Sequence, residues 1–275
     1  MDFEATFDSN RPLVGMVHLP PLPGAPGYCG DRKKLRGEAL TDAMVLLEAG
    51  FDGLMVENYG DRPYYPDDVP DHVVAELTAT IRELGIAVSL PPGVNVLRND
   101  ATAALSIAAA TGGSFVRVNV HTGGRDTDQG RLEGRAHETL RLRDRLEADV
   151  SILADVAVKH SRGVDDRAVD DRTIGAHARE TVDRGLADAL IVSGDETGQP
   201  PRTDLLLSIL DGRDDADRDV PVLLGSGVTA ENASELLEVT DGAIVGTALK
   251  RDGRTRNRVD ADRAAAVVEA VDSVR

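Results

Sequence analysis

Residues able to handle protons stand where short apolar runs of the sequence end. His18 and Glu57 close two early runs, and Asp155 and Lys159 belong to a later one. A carboxylate or an imidazole can transfer a proton to or from a substrate, and a lysine amine can form a Schiff base with a carbonyl compound. The candidate catalytic residues are therefore His18, Glu57, Asp155 and Lys159.

Asp155 and Lys159 have the same parity along one predicted strand. Alternate residues of a strand point to the same side, so both side chains can face the same interior. A buried lysine beside a carboxylate can act as a base or an imine-forming amine, but the two can equally form an ion pair without a catalytic role. The sequence leaves both interpretations open.

Polar residues near the ends of the other apolar runs could hold a substrate. Arg117 and Asn119 alternate within one run, and an inward arginine offers a bidentate grip on a carboxylate or a second phosphate. The alternative for Arg117 is a salt bridge to Glu57 or Asp155. The candidate substrate-binding residues are Asn58, Asn95, Arg98, Arg117, Asn119, Ser193 and Thr197.

Two consecutive apolar runs end in glycine and hydroxyl residues, Gly225-Ser226-Gly227 and Gly246-Thr247. Such turns let backbone N–H groups approach an anion, and the loops after the last two strands of a (β/α)8 barrel often bind phosphate. The alternative is that the glycines only serve a tight turn and that Thr229 only caps the next helix. The candidate phosphate-binding residues are Gly194, Gly225, Ser226, Gly227, Gly246 and Thr247.

Short apolar runs alternate with helical patterns along the chain. The alternation, with about eight repeats, favours a single (β/α)8 TIM-barrel domain over residues 1–275. An open doubly wound sheet is the alternative, but no Gly-x-Gly-x-x-Gly follows the first run. The pattern predicts a third strand over Ile86–Leu90, a loop over Gly93–Asp100, a short helix over Leu205–Leu210 and a solvated acidic loop over Asp211–Asp219.

The chain is strongly acidic, with a net charge of −17 and 48 Asp and Glu residues against 31 Lys and Arg. Dense carboxylates stay hydrated in high salt, where their repulsion is screened, so the composition indicates a halophilic protein. The same charge argues against nucleic acid or anionic lipid as a partner. A small phosphorylated ligand is the expected partner, and a homo-oligomer is compatible with the sequence.

Cysteine content and apolar stretches indicate the compartment. The single cysteine, Cys29, excludes an intrachain disulfide and favours a reducing cytoplasm. The acidic N-terminal segment lacks the features of a signal peptide, and the apolar stretch around Ala103–Ala110 is too short to span a bilayer.

No cofactor is predicted, but a divalent metal ion is the alternative. Its ligands would be His18, His160, Glu57 and Asp155.

Taken together, these motifs resemble the BtpA family, which includes the SgcQ-type proteins, over nearly the whole chain. The resemblance implies a TIM barrel related to ribulose-phosphate-binding enzymes, and it supplies no particular reaction. The family's namesake is linked to the accumulation of photosystem I in cyanobacteria. The matching segments are His18–Gly24, Glu57–Pro63, Gly93–Asp100, Arg117–Asn119, Asp128–Gly130, Ala154–His160, Gly225–Val228 and Gly246–Lys250.

Two functions follow from these observations. The first is an enzyme acting on a small phosphorylated sugar or sugar-acid carbonyl compound, as a lyase or an isomerase. The alternative is a non-catalytic assembly or interaction factor of the photosystem I biogenesis type. Charges that converge on one barrel mouth favour the enzyme, because burying unpaired charge is costly and a scaffold has no use for it.

The net charge predicts how stability depends on salt. The melting temperature should rise as KCl is increased into the molar range, because screening weakens the repulsion between carboxylates. Circular dichroism melts over a KCl series measure this directly. A melting temperature that stays flat or falls would contradict the halophilic interpretation.

Overall fold

The computed structural model describes residues 1–157, 161–163, 171–194, 196–272 and 274, with side chains described for 1–156, 174–194, 196–272 and 274. The helices are α1 (Phe3–Phe7), α2 (Arg32–Ala49), α3 (Asp71–Ala87), α4 (Ala101–Thr111), α5 (Ala136–Arg145), α6 (Asp171–Asp183), α7 (Thr203–Asp214), α8 (Ala233–Leu237) and α9 (Ala261–Val271). The strands are β1 (Leu13–His18), β2 (Gly53–Glu57), β3 (Pro92–Asn95), β4 (Phe115–Val118), β5 (Gly124–Thr127), β6 (Gly130–Glu133), β7 (Ser151–Ala157), β8 (Ser161–Gly163), β9 (Ala189–Val192), β10 (Val222–Leu224) and β11 (Gly242–Val245).

Parallel strands close into a barrel in the order β1-β11-β10-β9-β7-β4-β3-β2. Helices alternate with these strands along the chain, so the predicted TIM-barrel fold is confirmed. Among the described residues, the structure contains no helix with both the length and the apolar surface needed to cross a membrane.

Alternation along the strands sorts the side chains into two environments. Outward residues such as Leu54 and Val116 pack in the core between strands and helices, whereas Met55 and Phe115 fill the barrel interior. One step further along each barrel strand, the next inward position is polar or glycine. These positions are His18, Glu57, Asn95, Arg117, Asp155, Ser193, Gly225 and Gly246.

A short N-terminal helix closes the floor of the barrel. Phe3 and Phe7 of α1 are buried in the interior cluster, and the ring of Phe7 packs edge-on against Phe115 with centroids 5.4 Å apart. A Cβ at Gly53, the first residue of β2, would lie 2.8 Å from the Phe7 ring. Phe7 therefore fills the amino-terminal end of the barrel, and the polar layer lies at the opposite end.

The third barrel strand lies at Pro92–Asn95, so the prediction of a strand over Ile86–Leu90 and of a loop from Gly93 is wrong. Helix α3 continues to Ala87 instead, with Ile86 73% exposed on its surface. The true strand carries Gly93 because a Cβ there would lie 2.1 Å from the Phe115 ring. Gly93 is needed for space inside the barrel, but in the sequence a glycine at this position indicates a loop.

The predicted acidic loop over Asp211–Asp219 is also wrong in its first part, because α7 runs on to Asp214. Gly212 lies against helix α6, where its missing Cβ would come 2.1 Å from the backbone oxygen of Gly175. Close approach of the two helices keeps this acidic turn helical, with its charges on the solvent side.

Segments that follow two barrel strands form a small antiparallel sheet at the carboxyl end of the barrel. Strand β5 pairs with β6 in a hairpin and with β8 along its other edge. The Nη2 atom of Arg125 donates to the backbone oxygen of Val156 at 2.7 Å, which ties the hairpin to strand β7. The glycine-rich polar stretch after β4 is therefore ordered structure near the barrel mouth.

Replacing Phe7 by alanine tests the floor. The variant should lose about 3 to 5 kcal/mol of unfolding free energy, because it removes a buried ring and leaves a cavity beneath Phe115. Val239→Ala, at a position 51% exposed, is the matched control and should stay within about 0.5 kcal/mol of the wild type. Urea titration at fixed KCl measures both, and equal losses in the two variants would refute the structural role of α1.

Candidate active site

A buried ion pair occupies the centre of the polar layer. Arg117 from β4 places Nε 2.9 Å from Oδ2 of Asp155 and Nη2 2.8 Å from Oδ1, a bidentate contact between adjacent strands. Both side chains are essentially inaccessible to solvent. The salt-bridge alternative for Arg117 is thus the arrangement in the structure.

Neighbouring amides and hydroxyls complete the coordination of this pair. Asn119 donates to Oδ2 of Asp155 at 3.0 Å, and the Ser193 hydroxyl donates to Oδ1 at 3.1 Å. Asn95 donates to the side-chain oxygen of Asn119 at 3.1 Å and to the backbone oxygen of Arg117 at 3.0 Å. Four of the predicted site residues therefore assemble around Asp155, and both oxygens of its carboxylate accept hydrogen bonds within the protein.

Burial and charge act in opposite directions on Arg117. Burial alone would lower the pKa of its guanidinium, but attraction to Asp155 and the hydrogen bonds between them outweigh burial and raise the pKa. The guanidinium therefore stays charged. A buried pair satisfied in this way is costly to break, because removing one partner leaves the other charge uncompensated.

Glu57 and His18 form the second polar group of the mouth. They are register partners on strands β2 and β1, with Nε2 of His18 3.8 Å from Oε1 of Glu57. The His18 ring leans on Tyr59, with centroids 4.8 Å apart, and Arg62 lies 4.6 Å above that tyrosine ring. Glu57 and His18 line a cavity of about 360 Å³ at the mouth of the barrel, called the mouth cavity below.

Arg98 brings a second guanidinium into this mouth cavity. Burial lowers its pKa more than the carboxylates of Asp155, Glu57 and Asp128 raise it. Asn58 lies behind Arg98, accepting from the backbone N–H of Leu97 at 2.7 Å and donating to Asp61 at 3.1 Å. Asn58 therefore holds the Arg98 segment in place, and the substrate contact predicted for it stays a prediction.

The glycine turns after β10 and β11 line a second cavity, of about 500 Å³. Gly225 has no space for a side chain, because a Cβ there would lie 2.2 Å from Cγ2 of Ile191 and 3.2 Å from Nη2 of Arg117. Ser226 accepts from the N–H of Gly194 at 2.8 Å and donates to the backbone oxygen of Gln199 at 3.0 Å. Ser226 and Gly194 thus fasten the loop after β9 to the glycine turn.

Gly227 is fixed by its conformation and its neighbours. Its φ is +76°, and a Cβ would come within 1.9 Å of the backbone nitrogen of Pro200. Gly246 is less confined, with the nearest contact of a Cβ at 3.2 Å from His18. The hydroxyl of Thr247 lies 3.0 Å from that of Thr255. A substitution of Gly227 would therefore distort the loop before it could report on a ligand.

Three residues, His18, Arg117 and Thr197, line both the mouth cavity and the glycine cavity. The two cavities therefore share a wall at the centre of the barrel. The glycine turns and the Glu57 and His18 pair therefore lie in adjoining cavities.

The structure cannot be compared with the predicted roles of two residues. Lys159 and His160 lie outside the described residues. Among the described residues, no group of three or more His, Cys, Asp and Glu side chains could hold a metal ion. Asp155, one of the predicted ligands, is engaged by Arg117 instead.

Several residues of the mouth were not predicted from the sequence. Tyr59, Arg62, Tyr64, Asp128 and Gln129 line the mouth cavity from loops after β2 and β4. Their positions depend on how those loops fold back, which alternation along strands does not encode. The sequence signal was that four of them lie in the segments Glu57–Pro63 and Asp128–Gly130, with Tyr64 directly after the first.

Lys250 is a buried cation that sequence reasoning also missed. Its Nζ donates to the backbone oxygen of Met16 at 2.9 Å and lies 3.5 Å from Oδ2 of Asp42. Burial lowers the pKa of Lys250 to about 8, although Asp42 raises it in part. The lysine ties the turn after β11 to strand β1, two residues before His18. Its place in a chain with few lysines was the available signal.

Known proteins match over almost the entire chain. A protein of Thermococcus kodakarensis, described as uncharacterized, is 46% identical over 275 residues, covering 100% of this chain and 98% of its own length. The photosystem I biogenesis protein BtpA of Synechocystis is 41% identical over 271 residues, covering 98% of this chain and 91% of its own length.

A solved structure shows the shared architecture. N-(5'-phosphoribosyl)anthranilate isomerase from Pyrococcus furiosus matches with a TM-score of 0.58 at 13% identity, covering 96% of this chain and 100% of that chain. At this identity the likeness concerns the barrel fold. The model of the BtpA family matches residues 9–273, and the chain therefore belongs to the BtpA family.

Proposed function

We propose that the protein is an enzyme that acts on a small phosphorylated sugar or sugar acid carrying a carbonyl group, as a lyase or an isomerase. The observation that carries the proposal is the shared wall of His18, Arg117 and Thr197 between the glycine cavity and the mouth cavity. Such a substrate needs a region that binds an anion and an adjoining region with groups able to transfer protons.

The glycine cavity suits the phosphate. The 3₁₀ turn Thr247–Leu249 begins at Gly246, and the first N–H groups of a helical turn have no acceptor within the turn. Arg263 lines the same cavity and adds a positive charge. The isomerase with the shared fold is named for a 5'-phosphoribosyl compound, which supports the same substrate class by analogy.

The mouth cavity suits the reacting carbonyl part. In an isomerisation, Glu57 takes the proton from the carbon beside the carbonyl group, and the electron pair moves to the carbonyl oxygen. That oxygen takes a proton from His18, which gives an enediol. The hydroxyl on the first carbon then returns a proton to His18 while Glu57 delivers the first proton to the former carbonyl carbon, and a new carbonyl group forms on the first carbon. Arg98 stabilises the negative charge that develops on the oxygen.

Asp155 receives a different role in this proposal from the one first expected. Its carboxylate already accepts hydrogen bonds from Arg117, Asn119 and Ser193. We therefore propose that Asp155 positions Arg117 in the wall between the two cavities. Lys159 lies outside the described residues, and its role as a base or imine-forming amine stays a prediction.

A second candidate is an assembly or interaction factor. The observation in its favour is the 41% identity with the photosystem I biogenesis protein BtpA of Synechocystis. A protein of this kind would not need the connected cavities to be occupied, so the two experiments below separate the candidates.

The first experiment adds a negative charge to the phosphate cavity. Ala248 lines that cavity beside Thr247, and Ala248→Asp should weaken the binding of inorganic phosphate at least about tenfold, because like charges would meet at close range. Ala265→Asp, on the exposed face of α9, is the control with the same charge change. Calorimetric titration in constant KCl measures both. Equal dissociation constants in the two variants would show that phosphate does not bind in this cavity.

The second experiment removes the proposed base. The substrate is taken as the sugar phosphate or phosphorylated sugar acid that raises the melting temperature most. Glu57→Gln should slow exchange of its carbon-bound hydrogen with deuterated solvent by about 10² to 10⁴-fold, because the amide cannot accept the proton. Proton NMR follows the exchange.

Glu76→Gln is the matched control for Glu57→Gln. Glu76 is as buried as Glu57 but bridges Arg32 and Arg36 on the helical surface. The control should lose stability and keep its exchange rate. Undiminished exchange in Glu57→Gln, or no exchange in the wild type with any compound that binds, would count against the enzyme.

A further inference from the structure

The tip of the β5–β6 hairpin contributes polar side chains to the mouth cavity. Thr127 pairs with Gly130, which leaves Asp128 and Gln129 as a two-residue turn. Both residues line the mouth cavity together with Glu57 and Arg98. The turn is held by its own contacts, since the Thr127 hydroxyl donates to the backbone oxygen of Gly130 at 2.9 Å.

One buried side-chain oxygen of this tip accepts no hydrogen bond from the described residues. The side-chain oxygen of Gln129 is buried, and among the described residues no donor reaches it. Its amide nitrogen donates to the carboxylate of Asp128, which fixes the orientation of the amide. A buried acceptor without a donor is unfavourable, and such groups often mark a place that a ligand or water completes.

We propose that Asp128 and Gln129 form a hydroxyl-binding subsite for the sugar part of a ligand whose phosphate lies between Gly227 and Gly246. This proposal rests on the proposed function and narrows its substrate class to phosphorylated compounds with several free hydroxyl groups. A carboxylate and an amide oxygen both accept hydrogen bonds from hydroxyls, and a short phosphate ester without hydroxyls would leave them unused.

The position of the subsite follows from the sheet that supports the tip. Strand β5 is held on one side by β6 and on the other by β8, and Arg125 anchors it to the backbone of Val156. The shared wall then joins the mouth cavity to the glycine cavity through Arg117. In the proposed complex, a sugar phosphate contacts the glycine turns with its phosphate and the hairpin tip with its hydroxyl groups.

The test compares two probes on the same protein, inorganic phosphate and ribose 5-phosphate. Their dissociation constants are measured by calorimetry in constant KCl, and the ratio of the two constants is the readout. In the wild type, ribose 5-phosphate should bind more tightly than phosphate. Gln129→Leu should lower this preference by about tenfold, because it removes the acceptor for hydroxyls, and it should leave the phosphate constant within about twofold, because the glycine turns are unchanged.

Two further variants separate hydroxyl binding from a general effect on the hairpin. Gln129→Asn keeps an amide oxygen and an amide nitrogen, and it should retain more of the preference for ribose 5-phosphate than Gln129→Leu does. Glu133→Leu places the same leucine on strand β6 at a side chain 69% exposed, and it should leave both constants unchanged.

Each remaining outcome counts against a specific statement. An unchanged ratio in Gln129→Leu, or a wild type that binds the two probes equally, would overturn the hydroxyl subsite while the phosphate site stands. Parallel losses for both probes in Gln129→Leu would show that the tip only supports the fold of the mouth. Binding of neither probe by the wild type would instead overturn the proposed function, and the subsite with it.

Discussion

The buried pair of Arg117 and Asp155 is the interaction on which the carboxyl end of the barrel depends. A guanidinium and a carboxylate placed between two adjacent strands are stable there only when every hydrogen-bonding position is used. Asn119 and Ser193 each donate to the carboxylate, so both of its oxygens accept a hydrogen bond in addition to those from Arg117. The identity of these neighbouring residues is therefore set by the pair, before any ligand is considered.

This constraint separates the interior into zones with distinct tasks. Below the pair, aromatic and aliphatic side chains down to Phe7 exclude water and fill the floor. Above it, Glu57 and His18 face the mouth cavity. The pair itself forms the boundary, since its charges are balanced within the protein and its guanidinium still reaches both cavities.

Strand alternation made most of the fold and part of the site predictable. The parity of Leu153 and Asp155 correctly placed the carboxylate inside the barrel, and the matched glycine turns correctly marked the loops after the last two barrel strands. The strand at Pro92–Asn95 was not predicted because Gly93 is required by its contact with the ring of Phe115, which lies on another strand. The hairpin tip escaped for a related reason, since loops that fold back over a mouth leave no periodic signal. In both cases a tertiary contact decided the local structure.

The packing of Gly227 against Pro200 has a consequence for how the two ends of a ligand are sensed. Residues 196–200 rest on the glycine turn and also carry Thr197, which lines both cavities. Groups bound at either end therefore act on one continuous segment, and their binding free energies need not add. By thermodynamic reciprocity, whatever help a bound phosphate gives to the sugar end is returned in equal measure when the sugar end binds first. A backbone contact that excludes a single methyl group would thus make this loop the link between the two ends of the proposed ligand.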